Sequence, residues 1–165
     1  IIGFKDEADW DFEPNKKTSS SIFNSHLPLI KSKTKKKLKE MFDKGEIDER
    51  YYYKQNAYMY KDLKKAIVSK NTVYQWRRVY VRENKSGECP TLTANMGTGG
   101  HNVPLIKDDL GIRKLTPREC LNFQGFPKSF KFPNDMPISQ RYKQAGNAVT
   151  VNLIYRIAKI ILKSF

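Results

Sequence analysis

Arg113-Lys-Leu-Thr-Pro-Arg-Glu-Cys-Leu-Asn-Phe-Gln-Gly-Phe-Pro127 contains the strongest helix start in the chain. Thr116 can accept a backbone amide as an N-cap, Pro117 suits a first helical position, and Glu119 stands where a capping box needs it. The helix is expected to carry Leu121 and Phe123 and to end near Gly125, before Pro127. Further on, Tyr142-Lys-Gln-Ala-Gly-Asn-Ala-Val149 breaks a second helical region. Ser139 is expected to begin a short helix that Gly146 stops, and Asn147 to cap a last one. Val151, Ile154, Ile157, Ala158 and Ile161 give that last helix an apolar stripe.

Upstream of this stretch the period changes. Val73–Val81 is rich in β-branched and aromatic residues and reads as strand. On a continuous strand Trp76, Arg78, Tyr80 and Arg82 share one face, and Gln75, Arg77, Val79 and Val81 the other. One face would then interleave two guanidinium groups with two aromatics, an arrangement suited to guanine, which accepts two bonds from one Arg. An ordinary sheet surface with Arg stacked on Trp or Tyr is the alternative. Asn84–Gly87 reads as a turn, Pro90–Ala94 as a short strand, Val103–Ile106 as another, and Asp108–Gly111 as a turn. Residues 95–100 are expected to loop, because Gly97, Gly99 and Gly100 disfavour regular structure. A backbone so bare can lie close to a phosphate or a base edge, which makes these glycines candidate DNA contacts, with an ordinary flexible loop as the alternative. They are not a nucleotide-binding turn, since His101-Asn-Val-Pro104 opens no helix.

Nearer the start, Leu63, Ala66 and Ile67 mark a helix within 56–68, and Leu38, Met41 and Phe42 mark another that Gly45 stops. Residues 1–4 read as the end of a buried strand and 5–25 as a polar connection. The chain is α+β, with short strands in the middle and helices at the end.

Basic residues number 31 against 17 acidic, a net charge of +14. That excess suits a polyanion, because each neutralised phosphate releases counterions; a solvated lysine-rich surface is the bland alternative. The basic run Lys31–Lys37 is either a solvated helix face or a further place for phosphate contact. No apolar run reaches the roughly 20 residues of a membrane span, so no membrane association is expected. Cys89 and Cys120 form no C-x-x-C pair and have no zinc spacing to His26 or His101, so no metal is expected and a reducing cytoplasm fits. The opening Ile1-Ile-Gly-Phe4 suggests a piece of a longer protein.

The two stretches quoted first resemble the ninth and tenth motif blocks of bacterial DNA cytosine-5 methyltransferases, in the same order and at the same separation. Pro90–Gly100 resembles the end of that family's target-recognition region, and Ile1–Phe4 the strand after its eighth block. The resemblance implies an irregular, β-rich recognition domain over 26–112. It is followed by helices, 113–165, that pack back onto an α/β catalytic domain, to which 1–25 leads. It implies double-stranded DNA and an amino-terminal catalytic half as partners, S-adenosylmethionine as cofactor, and a bacterial cytoplasmic setting.

By the same resemblance Asn147 and Ala148 border the cofactor and the flipped base. Arg113, Thr116, Arg118 and Glu119 form a supporting network. Arg78 and Tyr80 match the recognition triplet whose Arg contacts guanine, Gln75 the residue that fills the gap left by the extruded cytosine, and Thr91 the second recognition loop. Arg82, Gly97, Gly99 and Gly100 complete the expected DNA-binding set. The family nucleophile is a Cys directly after Pro, whereas this chain has Cys89-Pro90, and its Glu-Asn-Val block is absent. The groups that attack cytosine and donate protons therefore lie outside these 165 residues, and the chain alone is expected to be inactive. A non-catalytic, sequence-specific DNA-binding subunit is the alternative. Burial of Ile154, Ile157 and Ile161 in the chain's own core would favour it.

Overall fold

In a computed structural model, the structure describes residues 38–162, apart from 78, 86–87 and 99–101. The strand end at 1–4, the connection at 5–25 and the basic run Lys31–Lys37 lie outside the described residues. So do Arg78, Gly99 and Gly100.

Four strands form one antiparallel sheet in the order β2-β1-β3-β4: β1 Val73–Arg77, β2 Tyr80–Asn84, β3 Leu105–Lys107 and β4 Ile112–Lys114. Val73–Val81 is thus a hairpin rather than one strand. Its register pairs Gln75 with Arg82, Trp76 with Val81 and Arg77 with Tyr80. Two-residue hairpin turns usually announce themselves with Gly or Asn, and the two residues between Arg77 and Tyr80 are Arg and Val. The turn was therefore hidden, and the expected division of faces is wrong. Cross-strand partners point to the same side, so Gln75, Arg77, Tyr80 and Arg82 share a face. Trp76 belongs to the other and is 8% exposed.

Each face of the sheet meets a different core. Tyr74, Trp76, Leu105 and Ile112 pack on Leu63 and Ile67, which come from and just after helix α1, Tyr60–Ala66. Val73 and Ile106 face the opposite way, into a cluster with Leu92, Met96, Leu121, Tyr142 and Ala145. Along one face of β1 the environment grades from core at Val73, through Gln75 at 8% exposed, to the exposed Arg77.

The connections carry three corrections. Pro90–Ala94 does not pair as a strand; Leu92 is buried in the core and the residues beside it run past helix backbone instead. Residues 95–98 are not loop but part of a 3-10 turn over Ala94–Thr98 that buries Met96, tertiary packing having overridden glycine's preference. Leu38–Glu40 makes only one 3-10 turn. The Asp108–Gly111 turn forms as read: Asp108 N donates to Gly111 O, and its side chain accepts from the amides of Leu110 and Gly111.

Helix α2, Pro117–Phe123, has the complete capping box, with Thr116 accepting from Glu119 N at 3.1 Å and Glu119 from Thr116 N at 2.8 Å. It ends in a Schellman motif: Phe126 N reaches Leu121 O, Gly125 N reaches Asn122 O, and Gly125 has φ +80°. Helix α3, Ile138–Asn147, runs through Gly146 instead of stopping there. Helix α4, Val151–Leu162, follows after three residues, so Asn147 ends α3 and does not cap α4. The stretch Ile138–Leu162 reaches a mean hydropathy of 1.2 over an 18-residue window. It is nonetheless two helices, and the 12 residues of α4 rise about 18 Å, short of a bilayer's ~30 Å.

Candidate nucleic-acid interface

The hairpin face just described forms one wall of a cavity of about 400 Å³. Gln75, Arg77, Arg82 and Asn84 contribute from the hairpin; Cys89, Pro90, Thr91, Thr93, Asn95 and Asn102 face them. Among the described residues the lining holds amides, hydroxyls and two guanidinium groups, and no carboxylate. Neither Arg77 nor Arg82 has an acidic partner among the described residues. Two forks of N–H donors in an acid-free cleft present themselves to a ligand rich in acceptors, such as a phosphodiester or the O6/N7 edge of guanine.

Three of the expected DNA-binding residues, Gln75, Arg82 and Thr91, thus come together. Tyr80 shares their face and is 58% exposed. Gln75 lines the cleft and is 8% exposed. Gly97 serves packing: a Cβ there would stand 2.5 Å from Ser139 O of α3, so the bare backbone lets the turn approach that helix. Arg77 was missed because the strand was read straight through; the hairpin register puts it beside Arg82. Thr93, Asn95 and Asn102 carry no sequence signal of their own. Burial pushes the Cys89 thiol up to about 12, away from the range of a reactive thiolate.

On the same face of the sheet, at its β4 edge, lies a buried polar network. Arg113, 2% exposed, grips Glu119, 0% exposed, through two bonds of 2.7 and 2.8 Å, and donates to Asp108 at 2.7 Å. Glu119 also accepts from Asp43 N, Thr116 Oγ1 donates to Asp43, and Tyr52 Oη donates to Asp108. Strand β4, the residue 43 and 52 segments and α2 are thereby fixed to one another. Arg118 stands apart from this network. It donates to Asn122 and to the carbonyls of Phe126 and Phe130, holding the chain that leaves α2.

Burial alone would raise the carboxyl of Asp108, but bonds from Arg113, Tyr52, Gly111 N and Leu110 N outweigh it and leave it below the usual carboxylate range. A lowered folded value stabilises the fold above about pH 4 and is lost as pH falls through it. Asp43 runs the other way, raised mainly by its burial. Asp108→Asn should therefore give a shallower loss of stability below about pH 4 than the parent chain, read from urea midpoints across pH. Parallel curves would remove Asp108 from the account.

Asn147 is exposed at the end of α3, and Ala148 is half-buried. Gln124, which no sequence signal marked, organises this turn. Its side-chain nitrogen donates to Ala145 O and Ala148 O, its side-chain oxygen accepts from Thr150 Oγ1, and its carbonyl accepts from Val151 N. The turn also touches the cleft wall, because Gly146 lies directly against the backbone of Thr93. Helix α4 buries none of its residues; Ile154 is 46%, Tyr155 58% and Ile161 51% exposed.

Comparison with known proteins gives these features a context. The family model for C-5 cytosine-specific DNA methylase matches residues 1–163. Type II methyltransferase M.Bsp6I of Bacillus sp. (strain RFL6) is 54% identical over 143 residues, which are 86% of this chain and 44% of that protein. Type II methyltransferase M.DsaV of Dactylococcopsis salina is 29% identical over 163 residues, 98% of this chain and 41% of that protein. The crystal structure of S. pombe Dnmt2 methyltransferase shares the fold, with TM-score 0.60 at 13% identity over 88% of this chain and 48% of that one. The chain spans less than half the length of these relatives.

Proposed function

Because the chain belongs to the C-5 cytosine-specific DNA methylase family, we propose that it is the carboxyl-terminal, DNA-recognising portion of an S-adenosylmethionine-dependent DNA (cytosine-5-)-methyltransferase of a bacterial restriction-modification system. The observation that carries the recognition role is the acid-free cleft whose two guanidinium groups, Arg77 and Arg82, have no acidic partner among the described residues. In this reading 26–112 reads double-stranded DNA, and 113–165 returns to a catalytic domain to which 1–25 leads. The enzyme works in the cytoplasm.

The outward apolar residues of α4 support an amino-terminal catalytic half as the partner that covers them. They weigh against a self-sufficient DNA-binding subunit, for which that stripe would be buried at home. Asn147 and Ala148 fit a pocket rim: one offers an exposed amide, and the other lies in a turn pinned by Gln124. They do not form a pocket by themselves, so S-adenosylmethionine, which supplies the electrophilic methyl group, would be held mainly by the other half. Burial raises the Cys89 and Cys120 thiols, which does not suit the thiolate that attacks cytosine, and that group is assigned to the other half. Arg113, Thr116 and Glu119 support the recognition region by tying β4 to α2, and Arg118 steadies the exit from α2.

Substituting the two cleft arginines tests the reading. Arg77→Ala with Arg82→Ala should cost about 1–3 kcal/mol of discrimination between target and scrambled duplex for each bidentate arginine–base interaction removed. Lysine at the same positions keeps the charge and thus the salt slope, but lacks the fork and with it discrimination. Equal binding of all duplexes by the parent and both variants would remove base reading from the cleft.

A further inference from the structure

Val79 is an exposed apolar residue in a tight turn. It sits in the turn of the β1–β2 hairpin, 86% exposed, at a position that hairpins commonly give to Gly or Asn. It makes no core, and the next residue, Tyr80, is 58% exposed beside it. Single exposed apolar residues are common, so the surroundings decide. Leu110 is another exposed apolar residue in a tight turn, at 81%, but its turn carries Asp108 and Asp109 and would repel a polyanion. The Val79 turn is flanked by Arg77, with Arg82 two residues beyond Tyr80 on the same face. Among the described residues strand β2 is also the edge of the sheet.

A two-stranded ribbon fits the major groove of B-DNA, and the apolar feature on that groove's floor is the 5-methyl group of a pyrimidine. We propose that Val79 and Tyr80 form an apolar hairpin tip that recognises a pyrimidine 5-methyl group in the major groove, while Arg77 and Arg82 take the acceptors beside it. This rests on the DNA-reading function proposed above. Two sources could present that methyl group: a thymine in the recognised sequence, or a 5-methylcytosine already placed on one strand.

The test uses the chain combined with its amino-terminal half and fluorescent duplexes containing the recognised sequence. In one arm each thymine is replaced in turn by uracil; in the other, each cytosine by 5-methylcytosine. A change of about three- to ten-fold in Kd is expected at a single position in one arm. Val79→Ser, a surface change that leaves the core untouched, should abolish that change while preserving preference for the recognised duplex over a scrambled one. Specific binding that responds to no methyl group in either arm, or a response unchanged in Val79→Ser, would overturn the tip assignment alone. Absence of any preference among duplexes would instead defeat the DNA-reading function.

Discussion

Glu119→Ala should lose about 3–5 kcal/mol of folding free energy, the cost of removing one partner from a buried ion pair. The side chain is 0% exposed and receives four bonds: two from the Arg113 guanidinium, one from Thr116 N and one from Asp43 N. Deleting it leaves a guanidinium that is 2% exposed with Asp108 as its remaining carboxylate, and orphans two amides. The pair itself is weak evidence of net stabilisation, because burying two charges costs much of what their attraction returns. Losing half of it is what hurts. Against a typical domain stability of about 5–15 kcal/mol, a loss of that size is severe. Glu119→Gln keeps the shape and some acceptors and should fall between. Urea unfolding of the three proteins gives the answer; an alanine variant within about 0.5 kcal/mol of the parent would show the network to be dispensable.

Gly146→Ala has an expected sign opposite to that of ordinary helix chemistry. Inside a helix, alanine is favoured over glycine by about 1 kcal/mol. Here the new Cβ would stand 2.1 Å from Thr93 O, 2.2 Å from Thr93 C and 2.6 Å from Ala94 N, all backbone. Neither α3 nor the Thr93 segment can yield by rotating a side chain. Overpacking of this kind costs about 1–3 kcal/mol and occasionally more, and a clash with backbone puts it at the upper end. The damage should also reach the cleft, since Thr93 lines it and must move with its own backbone. Lowered thermal stability together with weakened duplex discrimination is the expected pair of results. A gain in stability would mean that propensity wins and that the close approach is not tight.

Legibility in the sequence followed locality. The capping box of Thr116 and Glu119 and the Asp108–Gly111 turn were readable because each depends on residues within a few positions. The hairpin was not readable, since its turn lacks the residues that favour one, and that error moved Trp76 and Arg77 to the wrong faces. Gly97 and Gly146 misled for another reason. Glycine in sequence suggests a loop or a stop, while here each lets two backbones approach, a property of tertiary packing alone. Gln124 likewise gains its role only when residues 145–151 fold back against it. The apolar stripe of α4 was plain as a pattern, but that Ile154 and Ile161 stay exposed while Val151 and Ile157 are half-buried could be known only from the structure.

The central claim is that this chain reads DNA for a methyl transfer whose chemistry resides on another part of the protein. Reconstitution addresses it most directly. The chain and its amino-terminal half are purified separately, mixed at defined ratios with duplex DNA and S-adenosylmethionine carrying a labelled methyl group, and incorporation into DNA is counted. The account predicts none from this chain alone and sequence-specific labelling of cytosine C5 from the mixture. Labelling by the chain alone, or none at any ratio with both halves folded, would contradict it.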